Sequence, residues 1–219
     1  HVDFSAEMER TLQVLDYAVL VISGREGVQG HTVTLWKLLQ KYEIPVFLFI
    51  NKMDLEGADR AQILEELQSS LSAGCLDFED LEEEQAAMCE EGLLEEYLET
   101  SHISVPSIRN SISNRKIFPC YFGSALRMSG VEGFLDGIVQ FTKKPSYPQQ
   151  FGARIYKITR DPQGMRLTHM KITGGTLSVK ETLDLPDAPG VSGEKVNQIR
   201  IYSGGKYQTV QEAEAGTVC

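Results

Sequence analysis

Asn51-Lys52-Met53-Asp54 places an amide, an ammonium on a long stem and a carboxylate within four residues. Asp54 is an acceptor-only carboxylate with two oxygens, able to take two adjacent donors at once. Lys52 has an apolar stem that can cover the flat face of a ligand. Asn51 is better suited to bracing neighbouring loops. The four follow directly on Val46 to Ile50, five uninterrupted apolar residues that read as a central parallel strand buried on both faces. Pro45 stands at its start, where the sheet does not need the missing N–H. Ligands of open α/β sheets sit outside the carboxyl ends of strands, so polar residues emerging there can converge on one. The plainer reading is a strand running into a polar turn.

The elements that must position these residues follow from hydrophobic spacing. Met8, Leu12 and Leu15 predict an amphipathic helix. Tyr17 to Ile22 predicts a short strand ending at Ser23-Gly24. Leu35, Leu38, Leu39 and Tyr42 predict a second helix with Thr32 as N-cap. Strand, helix and strand at this spacing form a βαβ unit, so the sheet should be parallel. A helix is expected from Ala58 to Leu71, a mostly exposed helical segment through the acidic residues 77–99, and a short helix from Ile103 to Ile112. Phe118 to Phe122 predicts a third buried strand with an irregular start at Pro119, followed by Gly123-Ser124-Ala125-Leu126 and an amphipathic helix from Val131 to Phe141. Lys143 to Gln150, with Pro145 and Pro148, reads as a linker. Beyond it lie short alternating segments at 153–159, 167–172, 176–185 and 196–202. Their turns at Asp161-Pro162, Gly174-Gly175, Pro189-Gly190 and Gly204-Gly205 predict a small antiparallel β-barrel. The expected fold is α/β, a parallel sheet with flanking helices over residues 1–146, followed by the barrel over 147–219.

The 219 residues are 42% apolar and 24% charged, ordinary values for a globular protein. No apolar run approaches a membrane span, and no basic start with an apolar stretch suggests a signal peptide, so the expected location is cytoplasmic, with no membrane partner. Cys75, Cys89, Cys120 and Cys219 are scattered, which argues against a zinc site or a disulfide framework. The net charge of −10 is uneven. Eleven of the 31 acidic residues lie between Asp77 and Glu99, where no basic residue occurs. The remaining 20 face 21 basic residues, so the rest of the chain can approach RNA without strong repulsion.

Taken in order, several of these stretches resemble the translational GTPases of the elongation factor G and tetracycline-resistance ribosomal protection group. Asn51-Lys52-Met53-Asp54 resembles their base-recognition motif, and Gly123-Ser124-Ala125-Leu126 their last G-domain motif. His1-Val2-Asp3-Phe4 resembles the stretch immediately after their Asp-Thr-Pro-Gly turn, and Glu26-Gly27-Val28-Gln29 their next signature. Residues 195–202, 210–213 and 215–218 resemble the last strands of their β-barrel second domain. Leu12 to Ile22 and the barrel look closer to the protection branch.

The resemblance implies a guanine nucleotide, GTP or GDP, as ligand. Asp54 would accept from the guanine N1–H and N2–H2, Lys52 would lie over the base, and Asn51 would brace the loops. Ala125 would offer its N–H to O6, with Ser124 bracing that loop and Leu126 beside it. His1 matches the histidine that orients the attacking water, a role of positioning and charge. It also implies ribosomal RNA and ribosomal proteins as partners, with the stalk as a possible partner of the 77–99 segment.

The chain contains no Gly-x-x-x-x-Gly-Lys-Ser/Thr, the loop whose N–H groups cradle phosphates and whose hydroxyl binds Mg2+. The switch threonine and the Asp of Asp-Thr-Pro-Gly are also missing, and all three would lie before His1. The sequence therefore reads as the base half of a GTPase site within a longer protein, with Mg2+ ligands elsewhere and more chain expected beyond Cys219. This polypeptide alone is expected not to hydrolyse GTP. Elongation factor G, a release-factor GTPase and a non-catalytic ribosome-binding module stay open as alternatives. Missing neighbouring strands would expose a sheet edge, through which two copies could pair.

Overall fold

The computed structural model describes residues 5–183 and 193–219. His1 and the three residues after it lie outside the described residues, as do the end of the strand expected over 176–185 and the turn expected at Pro189-Gly190. The chain forms two compact units. One spans Leu15–Lys144, and the other joins Pro145–Cys219 to the residues through Val14.

The first helix, α1 (Ser5–Leu12), belongs to the second of these units. It ends before Leu15, which the spacing had included. The α/β unit opens with β1 (Ala18–Ser23), α2 (Gly30–Lys41) and β2 (Val46–Asn51). The N-cap of α2 is Gln29, and Thr32 lies inside the helix. Trp36 and Leu39 are the residues that α2 buries. In α3 (Arg60–Ser70), Asp59 is the N-cap and its carboxylate accepts from the Gln62 N–H at 3.0 Å. Then come β3 (Cys75–Asp77), α4 (Glu83–Ala87), α5 (Glu91–Thr100) and α6 (Val105–Ser113), followed by β4 (Phe118–Phe122) and α7 (Val131–Phe141).

The sheet order is β1-β2-β4-β3 and every pair is parallel. β2 is central, and Val46 to Ile50 are all buried, as an apolar run in a two-sided sheet requires. Phe47, Phe49, Leu76, Tyr121 and Phe134 belong to one core with Ile108 and Ile112 of α6. The acidic stretch is helical, but it is not merely a solvated face. Ala86, Ala87 and Leu93 are buried in that same core, and Leu81, Leu94 and Tyr97 pack against it. Several acidic groups are also held by the fold. Arg60 binds Asp77 and Glu79, Glu83 accepts from the Ile103 N–H, and Glu96 accepts from the Ser104 N–H.

The second unit is antiparallel. β5 (Gly152–Arg160) pairs with β6 (Arg166–Gly174), with a bulge between Ile155 and Lys157. β7 (Thr176–Ser178) pairs with β12 (Glu212–Glu214), β8 (Thr182–Leu183) with β9 (Glu194–Lys195), and β10 (Ile199–Ser203) with β11 (Lys206–Val210). Residues 216–219 extend the ladder on β6 through Ile172–Thr217 and Met170–Cys219 backbone bonds. Ile172, Leu177, Ile199 and Ala213 form its small core. The buried Lys171 donates from Nζ to the Val14 carbonyl at 3.1 Å, which ties the N-terminal segment to these strands. Among the described residues no helix is long and apolar enough to cross a membrane.

Candidate functional site

The carboxyl ends of β1, β2 and β4 lie side by side, and backbone bonds lock them there. Gly24 N–H donates to the Asn51 carbonyl at 2.7 Å, Gly123 N–H to the Ile50 carbonyl at 2.9 Å, and Met53 N–H to the Gly123 carbonyl at 3.0 Å. The two polar loops, Asn51 to Asp54 after β2 and Gly123 to Leu126 after β4, therefore meet. Gly123 lets the second loop close on itself, because a Cβ there would overlap the Ser129 carbonyl.

Asn51 joins the loops through one atom. Its Oδ1 accepts from the Lys52 N–H at 2.8 Å and from the Ala125 N–H at 2.9 Å. The first bond holds Lys52 in the left-handed region, at φ 64°, and its side chain is exposed. The second engages the N–H that the resemblance gives to a base oxygen. Ser124 is buried. Its backbone exchanges bonds with Ser129, and its Oγ accepts from the Arg127 N–H at 3.3 Å.

Asp54 is the charged centre. The Ser124 hydroxyl donates to its carboxylate and is the main reason its pKa lies below the ordinary aspartate value; Arg127 adds a smaller pull. Arg127 Nε stands 3.1 Å from Asp54 Oδ2. Leu126 is 91% exposed, an apolar side chain standing in water at the edge of the site.

After β1 the chain turns over residues 24–26, where the Glu26 and Gly27 N–H groups donate to the Ser23 carbonyl, and Gly27 stands at φ 66°. The Glu66 side chain of α3 accepts from the Val28 N–H at 2.9 Å and fills the space where a Gly27 Cβ would stand. Asn51, Lys52, Asp54, Ser124, Ala125 and Leu126 thus come together on two adjoining loops. His1 lies outside the described residues. Arg127 and Glu66 were not singled out by the sequence. For Arg127 the signal was its position three residues after Ser124, as the only cation of that loop. Among the described residues no group of three or more His, Cys, Asp or Glu could hold a metal ion.

Comparison with known proteins adds to this geometry. The family model described as the elongation factor Tu GTP binding domain matches residues 1–144. The whole chain is similar to tetracycline resistance protein TetO of Streptococcus pneumoniae, at 26% identity, covering 37% of that protein. TetO of Campylobacter coli matches at the same identity and coverage. A solved structure from Thermus thermophilus superposes over the whole chain with a TM-score of 0.80 and 21% identity, covering 40% of that chain. The chain therefore spans little more than a third of the length of the curated relatives it matches.

Proposed function

The chain belongs to the elongation factor Tu GTP-binding domain family, and from that we propose that the protein it represents is a ribosome-dependent GTPase of the tetracycline-protection kind. The observation that carries the nucleotide reading is the pair of loops tied by Asn51, whose Oδ1 accepts from the Lys52 and Ala125 N–H groups, while Asp54 of one loop pairs with Arg127 of the other. The job is suggested by full-chain similarity to the TetO proteins.

Asp54 accepts from guanine N1–H and N2–H2, a donor pair that adenine lacks. Arg127, whose Nε stands 3.1 Å from Oδ2, yields the lone pair it occupies there or keeps a second one on the same carboxylate as the base enters. Lys52 covers one face of the base, and Leu126 supplies apolar surface beside it. The Ala125 N–H turns from Asn51 to O6. Phosphate and Mg2+ contacts come from parts of the protein other than these loops, and His1 orients the attacking water. Hydrolysis to GDP and phosphate releases the factor after it has displaced the drug from the ribosome. The work is cytosolic. The exposed glutamates of α4 and α5 meet a basic ribosomal protein such as the stalk, and β1 can pair with β1 of a second copy.

The test is GTP turnover by the whole protein with and without ribosomes, followed by translation in the presence of tetracycline. Stimulated turnover with restored translation is expected. Turnover indifferent to ribosomes overturns the reading, and stimulation without protection moves the protein to the elongation or release factors. The 219-residue chain has no phosphate-loop pattern, which favours a second reading for this polypeptide alone: a ribosome-binding module without turnover. It should pellet with ribosomes in a salt-sensitive manner.

A further inference from the structure

The second unit carries a row of rings that its core does not use. Tyr156 of β5 lies 6.2 Å from His169 of β6, His169 lies 5.8 Å from Tyr202 of β10, and Tyr202 lies 5.5 Å from Tyr207 of β11. Four strands thus contribute one ring each to a continuous ladder, with the tilted spacing that aromatic pairs prefer. The register pairs Tyr202 directly with Tyr207 and Arg200 with Thr209, so all four share one face of the hairpin. That face points outward: Ile199, on the alternate positions, is buried in the core. Tyr202 is 41% and Tyr207 48% exposed, a large aromatic area left in water.

The rings are fixed in place. The Arg200 guanidinium lies 4.5 Å from the Tyr207 ring centre. It is itself pinned by Gln198 at 2.7 Å and by Asp161 at 3.4 Å. His169 Nε2 and Thr159 Oγ1 are 2.8 Å apart. Burial, helped by Lys157, holds the His169 pKa below its ordinary value, so the ring is neutral at physiological pH. One cation is close to the row, since Lys157 acts electrostatically on both Tyr156 and His169. Lys206 lies at the hairpin tip next to Tyr207 in β11, on the alternate face of that strand. Residues 145–219 hold nine basic and seven acidic residues, whereas 15–144 hold 11 and 21. The ladder therefore sits in the cationic part of an acidic chain.

Two exposed tyrosines continued by the half-buried His169 and Tyr156, a flat guanidinium and the nearby Lys157 form a surface for unpaired bases, whose faces stack while their phosphates meet the cations. We propose that the Tyr156–His169–Tyr202–Tyr207 ladder binds single-stranded RNA by base stacking. The choice of RNA over DNA rests on the ribosomal reading above; the stacking mode does not.

The probe is fluorescein-labelled oligo(A) RNA of about 12 nucleotides, within the span such surfaces cover, against its duplex with oligo(U). Anisotropy is read at low salt. Oligo(A) should bind more tightly than the duplex, because paired bases hide their faces. Tyr207→Ala and Tyr202→Ala should each weaken oligo(A) binding by about tenfold or more, the loss of one stacked base. Tyr207→Phe should restore it, and unchanged thermal melting excludes misfolding. Lys157→Ala should lower the salt slope without changing the preference for single strands. Equal affinity for strand and duplex, indifference to Tyr207→Ala, or no binding of oligo(A) overturns the proposal. Ribosome co-sedimentation is scored separately. Tyrosine-dependent oligo(A) binding without pelleting fails the ribosomal reading alone, and pelleting with tyrosine-independent oligo(A) binding fails the ladder alone.

Discussion

At Asp54 a single hydroxyl does most to favour the charged form. The Ser124 hydroxyl is the chief cause that lowers the carboxyl pKa, with Arg127 contributing less. Asp54 has a native pKa below the ordinary aspartate value. Its interactions therefore stabilise the fold fully above that value, and the contribution is lost as pH falls through the lower native one. Ser124→Ala should raise the Asp54 pKa toward the ordinary value, as read from its carboxyl carbon by NMR titration. An unmoved titration would assign the shift to Arg127 instead. Asp54→Asn in the whole protein replaces two acceptors by one acceptor and one donor. Xanthine has a carbonyl where guanine has N2–H2, so the preference for GTP over XTP should fall by about 10- to 100-fold, the cost of unpaired polar groups in a binding site. An unchanged preference removes Asp54 from base recognition. Asn51 and Asp54 were legible in the sequence because they leave an apolar strand. Arg127 was not, because its pairing with Asp54 crosses 73 positions and depends on two loops meeting.

Elements were legible where burial writes a long signal. β2 and β4 are apolar runs, and α7 spans the residues its amphipathic spacing marks. β3 was missed because three residues, Cys75 to Asp77, are too few to show a period, and its pairing with β4 is a tertiary event. The acidic stretch hid its core contacts, since Ala86, Ala87 and Leu93 are sparse among glutamates. Gly137 in α7 has a reason visible only in packing. Glycine costs a helix interior about 1 kcal/mol relative to alanine, but a Cβ there would overlap the Tyr121 hydroxyl. Among the described residues that hydroxyl is buried without a hydrogen-bond partner, and burial raises its pKa, so the phenol stays neutral. Gly137→Ala should therefore destabilise by about 1–3 kcal/mol, the usual cost of overpacking. Tyr121→Phe, which removes an unsatisfied hydroxyl, should be neutral or stabilising by about 1 kcal/mol. The double variant should melt close to the parent. If Gly137→Ala raises the melting temperature instead, helix propensity outweighs the overlap.

At the scale of the whole molecule, the open side of the sheet is the feature with a consequence for assembly. Among the described residues β1 pairs only with β2. Its alternation buries Leu20 and Ile22 and leaves Val19 47% and Val21 59% exposed. A free strand edge beside apolar side chains is a template for pairing. A two-fold axis through Leu20, perpendicular to the sheet, would set Val19 of one copy opposite Val21 of the other, on the same face of one continuous eight-stranded sheet. Such β-branched cross-strand pairs are favourable, and no charged residue of β1 opposes another. The 219-residue chain should therefore show a concentration-dependent monomer–dimer equilibrium in sedimentation velocity. Val21→Lys should abolish it, because a lysine on an edge strand opposes pairing, while the melting temperature stays within about 0.5 kcal/mol equivalent of the parent, as for other exposed substitutions. The charge distribution sets the counterweight. Residues 15–144 carry the full −10, so raising salt should strengthen dimerisation by screening this repulsion, whereas the same salt should weaken RNA binding by the cationic second unit. Opposite salt responses of the two associations would place them on different surfaces. A parallel weakening of both would mean that copies meet through charge contacts rather than through β1.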